Sequence, residues 1–142
     1  MNRRKKSPKT PVLTSILLIL VTIGLMYFKG PGSSAIDTDG EYYTETQVAA
    51  YLDEFGELPS NYVTKDEAVK LGWEGGNPMN SIGKCIGGDY YGNYEKKLPD
   101  GVYHECDVNY SGDSRGAERL VYSTTGDIYY TSDHYNSFEK LY

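Results

Sequence analysis

The apolar residues of this chain change their period once, near Lys84, and that change limits the folds open to it. Before it, "TETQVAAYLDEFGELP" places Val48, Tyr51, Leu52 and Phe55 at i, i+3, i+4 and i+7, the single buried stripe of a helix. Thr44 and Gln47 stand at capping-box spacing, and Gly56 and Pro59 end the segment. "NYVTKDEAVKLGW" repeats the device: Thr64 caps, Glu67 closes the box, Ala68 and Leu71 face inward, and Gly72 stops the helix. "WEGGNPMNSIGK" reads as loop. From Lys84 onward the chain turns to Tyr, Val, Ile and Thr in short alternating runs: "KCIGGDYY", "GVYHECDVNY", "ERLVYSTT", "DIYYTSD" and "SFEKLY". Such runs with short connections predict an antiparallel meander, with "TTGD" as a hairpin-like turn. Helices first and strands afterwards predict an α+β domain, its N-terminal helices packed on one face of a C-terminal antiparallel sheet of about five strands.

The N-terminus does not belong to that pattern. "MNRRKK" is basic, Pro11 to Phe28 is an unbroken apolar run, and Ser33-Ser34-Ala35 offers small residues for signal-peptidase cleavage. Residues 1–35 therefore read as a cleaved signal peptide, with a membrane anchor over residues 11–28 as the alternative. On either reading the remainder is exported. Residues 36–142 then form one domain, enough for a single modest core.

That domain carries all 20 acidic residues but only eight of the 14 basic ones, a formal charge of −12. Taken alone, such a balance speaks against nucleic-acid binding, which draws its affinity from clustered Lys and Arg. In an exported domain, Cys85 and Cys106 suggest one disulfide, closing a loop of about 20 residues and contributing roughly 3 kcal/mol. Two free buried thiols are the alternative. No CxxC or His-rich spacing is present, so neither a metal site nor another cofactor is expected.

Strand alternation sorts the polar residues. In "VYHECDVN", Val102, His104, Cys106 and Val108 share one face, and Tyr103, Glu105, Asp107 and Asn109 share the other. Cys106 and Val108 mark the core side, so Glu105 lies on the open face and His104 on the core side or an edge. A histidine and a glutamate are the usual pair for moving protons near neutral pH, which pairs Glu105 with His134 near the C-terminus. Lys65 opens the second helix, where a cation opposes the helix dipole, so stability does not explain it.

These motifs together, "LPSNYVTKDEAVKLGW", "IGGDYYGNYEKKLP", "ECDVNYSG", "RGAERLVYS" and "YYTSDHYNSFEKLY", resemble the bacterial guanyl-preferring ribonucleases typified by barnase. The resemblance runs from about Tyr43 to the C-terminus and implies that residues 36–142 are a ribonuclease domain of the microbial ribonuclease fold. It implies Glu105 as general base, His134 as general acid, Arg115 and Arg119 as phosphate ligands, and Lys65 as an aid to the phosphoryl transition state. The residue types agree with that chemistry. Attack by the 2′-hydroxyl of RNA needs a base, an acid for the leaving 5′-oxygen, and cations for the phosphorane oxygens. A 2′,3′-cyclic phosphate follows, and DNA, lacking the nucleophile, is not cut.

By the same resemblance "YYGNYEKKLP" is the guanine-binding loop. Tyr91, Gly92, Asn93 and Glu95 take its places, with Tyr135 and His134 as further wall. Tyr94 departs from the pattern, standing where the family has a basic residue that neighbours the phosphates and contacts an acidic protein inhibitor. Guanine preference is expected to survive through backbone and Glu95, while binding of a barstar-like inhibitor is expected to weaken. The implied protein is a secreted monomer that acts on single-stranded RNA. Two other readings fit the residues: a non-catalytic RNA-binding module on the same fold, or a tethered surface protein whose 15 tyrosines bind carbohydrate or protein.

Overall fold

A computed structural model describes residues 35–142, so the leader reading falls, apart from Ala35, outside the described residues. Helix α1 spans Glu45–Phe55. Thr44 caps it by accepting the Gln47 amide at 3.4 Å, and Gly56 closes it in the left-handed region (φ 71°) with its amide on Leu52. The expected box is only half formed, because the Gln47 side chain bonds the Thr44 hydroxyl and not the Thr44 amide. Helix α2, Lys65–Lys70, has the complete box between Thr64 and Glu67. It ends one residue earlier than its periodicity suggests: Ala68 is buried, but Leu71 has left the helix and is exposed. A one-turn helix α3, Pro78–Ser81, capped by Asn77, interrupts the segment read as loop.

The five expected strands all form: β2 (Cys85–Tyr91), β3 (Tyr103–Asp107), β4 (Arg119–Ser123), β5 (Ile128–Thr131) and β6 (Glu139–Lys140). They pair in chain order as an antiparallel meander. A sixth strand, β1 (Tyr62–Val63), lies parallel to β2 along its outer edge and makes the sheet mixed. Two residues are too short for any alternation to be read from sequence.

The core lies where α1 meets the sheet. Val48, Ala49 and Leu52 pack on Cys106, Val108, Leu120 and Ile128. Full burial of Val48 or Leu52 contributes about 1.5–3 kcal/mol each. The other face, expected to be open, is only partly so. Leu98, Tyr103, Val121 and Tyr129 form a second buried cluster there, with Tyr91, Tyr135 and Phe138 against it. Glu105 and Asp107 continue along β3 beyond that cluster, Asp107 fully buried and Glu105 partly covered.

The expected disulfide is not formed: Cys85 and Cys106 are both free and buried. Register gives the reason. Cys106 stands opposite Gly87, and Cys85 is two residues further along β2, opposite Tyr62. Gly87 has no alternative residue, since a Cβ there would lie 2.5 Å from the Cys106 Cβ and 2.6 Å from the Tyr62 ring. Just beyond, the register slips between Gly87 and Asp89, with Gly88 at φ 100°. That bulge re-aims Asp89 toward the start of α2.

Candidate active site

Glu105 projects from the middle of β3 on the face away from α1, as alternation with Cys106 requires. Its carboxylate is largely covered, and Lys65 Nζ stands 3.9 Å from Oε1. Lys65 is held there by the cap at Thr64 and by its own amide, which donates to Asp89 Oδ2 at 3.0 Å. The Asp89 carboxylate at the helix N-terminus offsets the unfavourable cation and leaves the Lys65 side chain turned toward Glu105.

Beside this pair, one carboxylate organises both arginines. Arg115 donates from Nε to Asp107 Oδ2 and from an Nη to Oδ1, both at 2.8 Å. Arg119 Nε lies 2.8 Å from Asp107 Oδ1, but its N–H does not point at that oxygen, so the contact is Coulombic and not a hydrogen bond. Arg119 also donates to the Glu118 carbonyl at 2.8 Å. Asp107 is 1 % exposed and takes a third partner, the Tyr110 hydroxyl, at 2.7 Å. Burial works against the Arg115 charge, but the hydrogen bonds and charge of Asp107 outweigh it and hold the guanidinium pKa above its usual value. The Trp73 ring packs 5.7 Å from the Arg115 guanidinium carbon.

His134 occupies the turn after β5, exposed, with φ 53°. Tyr135 follows at φ 71°, and two non-glycine residues in that region need support from their surroundings. The His134 amide bonds the Ala117 carbonyl at 3.2 Å, and the Tyr135 amide bonds Thr131 Oγ1 at 3.1 Å. Asp133 accepts the Ser137 hydroxyl at 2.6 Å, the Ser137 amide at 2.9 Å and the Thr131 hydroxyl at 2.9 Å. Those bonds, led by Ser137, hold its carboxyl down at about 2. The imidazole lies edge-on to the Tyr135 ring with centroids 4.8 Å apart.

A cavity of about 460 Å³ separates this turn from the loop after β2. Tyr91, Gly92, Asn93, Tyr94 and Glu95 line one side, His134 and Tyr135 the other. Tyr91 and Tyr135 stack at 5.3 Å and 24°. Asn93, at φ 49°, turns its side chain into its own loop and exchanges hydrogen bonds with the Leu98 backbone at 2.9 and 3.1 Å. It shapes the loop and leaves Glu95 and Tyr94 to face outward. Tyr94 is 88 % exposed, and its ring lies so close over Gly92 that a Cβ there would meet it at 2.3 Å.

Tyr135 joins the two halves of the site. Burial first, then the charge and hydrogen bond of Glu105, raise its phenol well above the usual value, while Arg119 pulls it back. His104 lies elsewhere, as alternation required. It stacks on Tyr122 in a larger groove, about 650 Å³, on the helix side of the sheet. No Lys or Arg lines that groove. Two residues that matter were not singled out from sequence. Asp89 carried no readable signal. Asp107 carried one: it lies two residues beyond Glu105 on the same face, in register with Arg119.

Comparison with known proteins gives the family. A family model described as ribonuclease matches residues 38–142. A ribonuclease of Heyndrickxia coagulans is 43 % identical over 100 residues, covering 66 % of this chain and 92 % of that protein. A ribonuclease of Bacillus intermedius is 43 % identical over 100 residues, with 66 % of this chain and 62 % of that protein covered. The guanyl-specific ribonuclease St of Saccharopolyspora erythraea is 49 % identical over 55 residues, 36 % of this chain and 54 % of that protein. A crystal structure of ribonuclease Sa2 with guanosine-2′-cyclophosphate is 38 % identical over 39 % of this chain and 63 % of that one, with a TM-score of 0.36.

Proposed function

This chain belongs to the ribonuclease family, and on that premise we propose that it is an exported endoribonuclease cutting single-stranded RNA 3′ to guanine. The observation that carries the mechanism is the Lys65–Glu105 contact at 3.9 Å, a cation and a carboxylate meeting on the sheet face away from α1. Glu105 takes the proton of the 2′-hydroxyl as that oxygen attacks phosphorus. His134 gives a proton to the departing 5′-oxygen. Lys65, Arg119 and Arg115 stabilise charge growing on the phosphorane oxygens. The product is a 2′,3′-cyclic phosphate, and its hydrolysis exchanges the two proton-transfer roles.

The chain supplies the base, the acid and the cations itself, so each step proceeds on side chains alone. Local charge and not net charge holds the phosphate: the three cations assigned to it belong to a domain with formal charge −12. Guanine is read by the backbone and carboxylate of the loop from Tyr91 to Glu95, with Tyr91 and Tyr135 as stacking surfaces. The guanyl-specific name of one relative supports that choice of base. The active form is a monomer. Tyr94 replaces the cation that an acidic barstar-like inhibitor would grip, so such an inhibitor binds weakly.

One experiment tests this reading. The purified protein is incubated in EDTA with a short RNA holding one guanine, and the ends are read by mass spectrometry. A single cut 3′ to guanine, leaving a 2′,3′-cyclic phosphate and lost in Glu105→Gln and His134→Ala, is the expected result. Folded protein that cleaves no RNA between pH 5 and 9 would leave a binding module on a ribonuclease fold.

A further inference from the structure

Lys97 has no part in the chemistry above, yet it makes the densest set of contacts of any lysine in the described domain. Its ammonium lies 3.1 Å from Glu95 Oε2. It also donates to the Asn136 carbonyl at 3.1 Å and the Tyr135 carbonyl at 3.4 Å. Two hydrogen bonds and one ion pair thus meet at a single ammonium. One side chain therefore links the loop that presents Glu95 to the turn that presents His134.

Both segments need holding. Asn93 and Lys96 in the loop, and His134 and Tyr135 in the turn, all have φ between 49° and 71°. Each segment is braced from within, the loop by Asn93 on Leu98 and the turn by Asp133 on Ser137. Lys97 is the charged brace between them, and the Tyr91–Tyr135 stack is the apolar one. Glu95 itself is three-quarters exposed, so without the ammonium its carboxylate would sample many rotamers in water.

We propose that Lys97 is a positioning residue that couples base recognition to the placement of His134. It rests on the ribonuclease reading above. The ammonium fixes the Glu95 carboxylate where the paired N–H groups of a guanine edge can meet it. The same ammonium fixes the two carbonyls immediately after His134, and with them the imidazole. Loss of the charge loosens both walls of the cavity together, so affinity for the base and rate of the chemical step fall together.

The test compares the full chain with Lys97→Met and Lys97→Arg on the dinucleoside phosphates GpU and ApU, well below any unfolding transition. Lys97→Met is expected to raise KM for GpU about tenfold and to leave KM for ApU nearly unchanged. It is expected to lower kcat about tenfold on both substrates, and Lys97→Arg restores most of each loss. A change in only one constant, or in neither, overturns the coupling. Backbone amide shifts on adding guanosine 3′-monophosphate give a readout without turnover. In the wild type both Glu95 and Asn136 shift, and in Lys97→Met the Asn136 shift is lost while the Glu95 shift remains. Retention of both shifts in Lys97→Met overturns the proposal even if kinetics are slow. A wild type that binds the nucleotide but cuts no RNA sinks the ribonuclease reading while leaving Lys97 to be judged by the shifts. A wild type that does neither overturns both.

Discussion

Asp107 and Arg119 stand directly opposite each other on β3 and β4, and their side chains meet at 2.8 Å in the sheet's buried polar end. Arg115 closes on the same carboxylate from the loop before β4, so one anion of 1 % exposure sets the position of two cations. Removing that anion exposes what it does. Asp107→Asn keeps the shape but leaves Arg119, at 3 % exposure, charged and uncompensated. Urea unfolding is expected to show a loss of about 3–5 kcal/mol, the usual consequence of orphaning one partner of a buried pair. RNA cleavage is expected to fall as well, because both guanidinium groups lose their anchor.

Tyr94 gives a prediction of opposite sign. Its ring is 88 % exposed and lies over Gly92, in a domain poor in cations. Tyr94→Arg adds one charge beside the cavity. RNA binding at low salt is expected to tighten, and the slope of log K against log salt to steepen by roughly 0.7, the contribution of one further phosphate contact on a single strand. Titrations at several salt concentrations check both. An unchanged slope would mean that residue 94 lies away from the phosphate path.

The two thiols make a chemical prediction. Burial, the main cause, pushes the Cys85 thiol up to about 11, and burial raises the Cys106 thiol as well. The native protein is therefore expected to resist iodoacetamide at pH 8, and to take up two labels per chain once unfolded without reductant. Zero labels after unfolding would show a disulfide. A raised thiol pKa also sets a sign for stability. The contribution is complete below about pH 8.5, the unfolded value, and is lost as pH rises toward the folded value.

The turn carrying His134 has the reverse dependence. Ser137, in hydrogen bonds from its hydroxyl and its amide, holds the Asp133 carboxyl down at about 2. A depressed carboxyl stabilises the fold above its unfolded pKa near 3.9 and loses that contribution as pH falls through the folded value. The protection factor of the Ser137 amide, its exchange relative to the unfolded chain at the same pH, is expected to fall between about pH 4 and pH 2. At neutral pH, Asp133→Ala is expected to lower kcat more than it raises KM, because the imidazole turn loosens while the base loop stays intact.

Much of this molecule was legible before its structure. The stripe from Val48 to Leu52, the cap at Thr64 and the five strands follow from periodicities and capping chemistry that act within a few residues. Alternation alone assigned Glu105 and His104 to opposite faces, and the structure agrees. Resemblance of whole motifs named Lys65, Arg115, Arg119 and His134, and the tertiary structure brings Lys65 to Glu105 and both arginines to Asp107.

Other features depend on which distant segments meet. Leu71 was drawn inward by its spacing, yet α2 ends before it and the side chain points to water. Cys85 and Cys106 were paired by count, yet register sets Gly87, and not Cys85, opposite Cys106. Strand β1 exists only because β2 offers it an edge. Asp107 holds two arginines and Lys97 joins two loops through contacts 8 to 39 residues apart in the chain. Local sequence determines which elements form and which face each residue takes, because those preferences act over one or two turns of backbone. Where charges pair is decided only after folding, because an ion pair depends on distance in space and on the water removed around it.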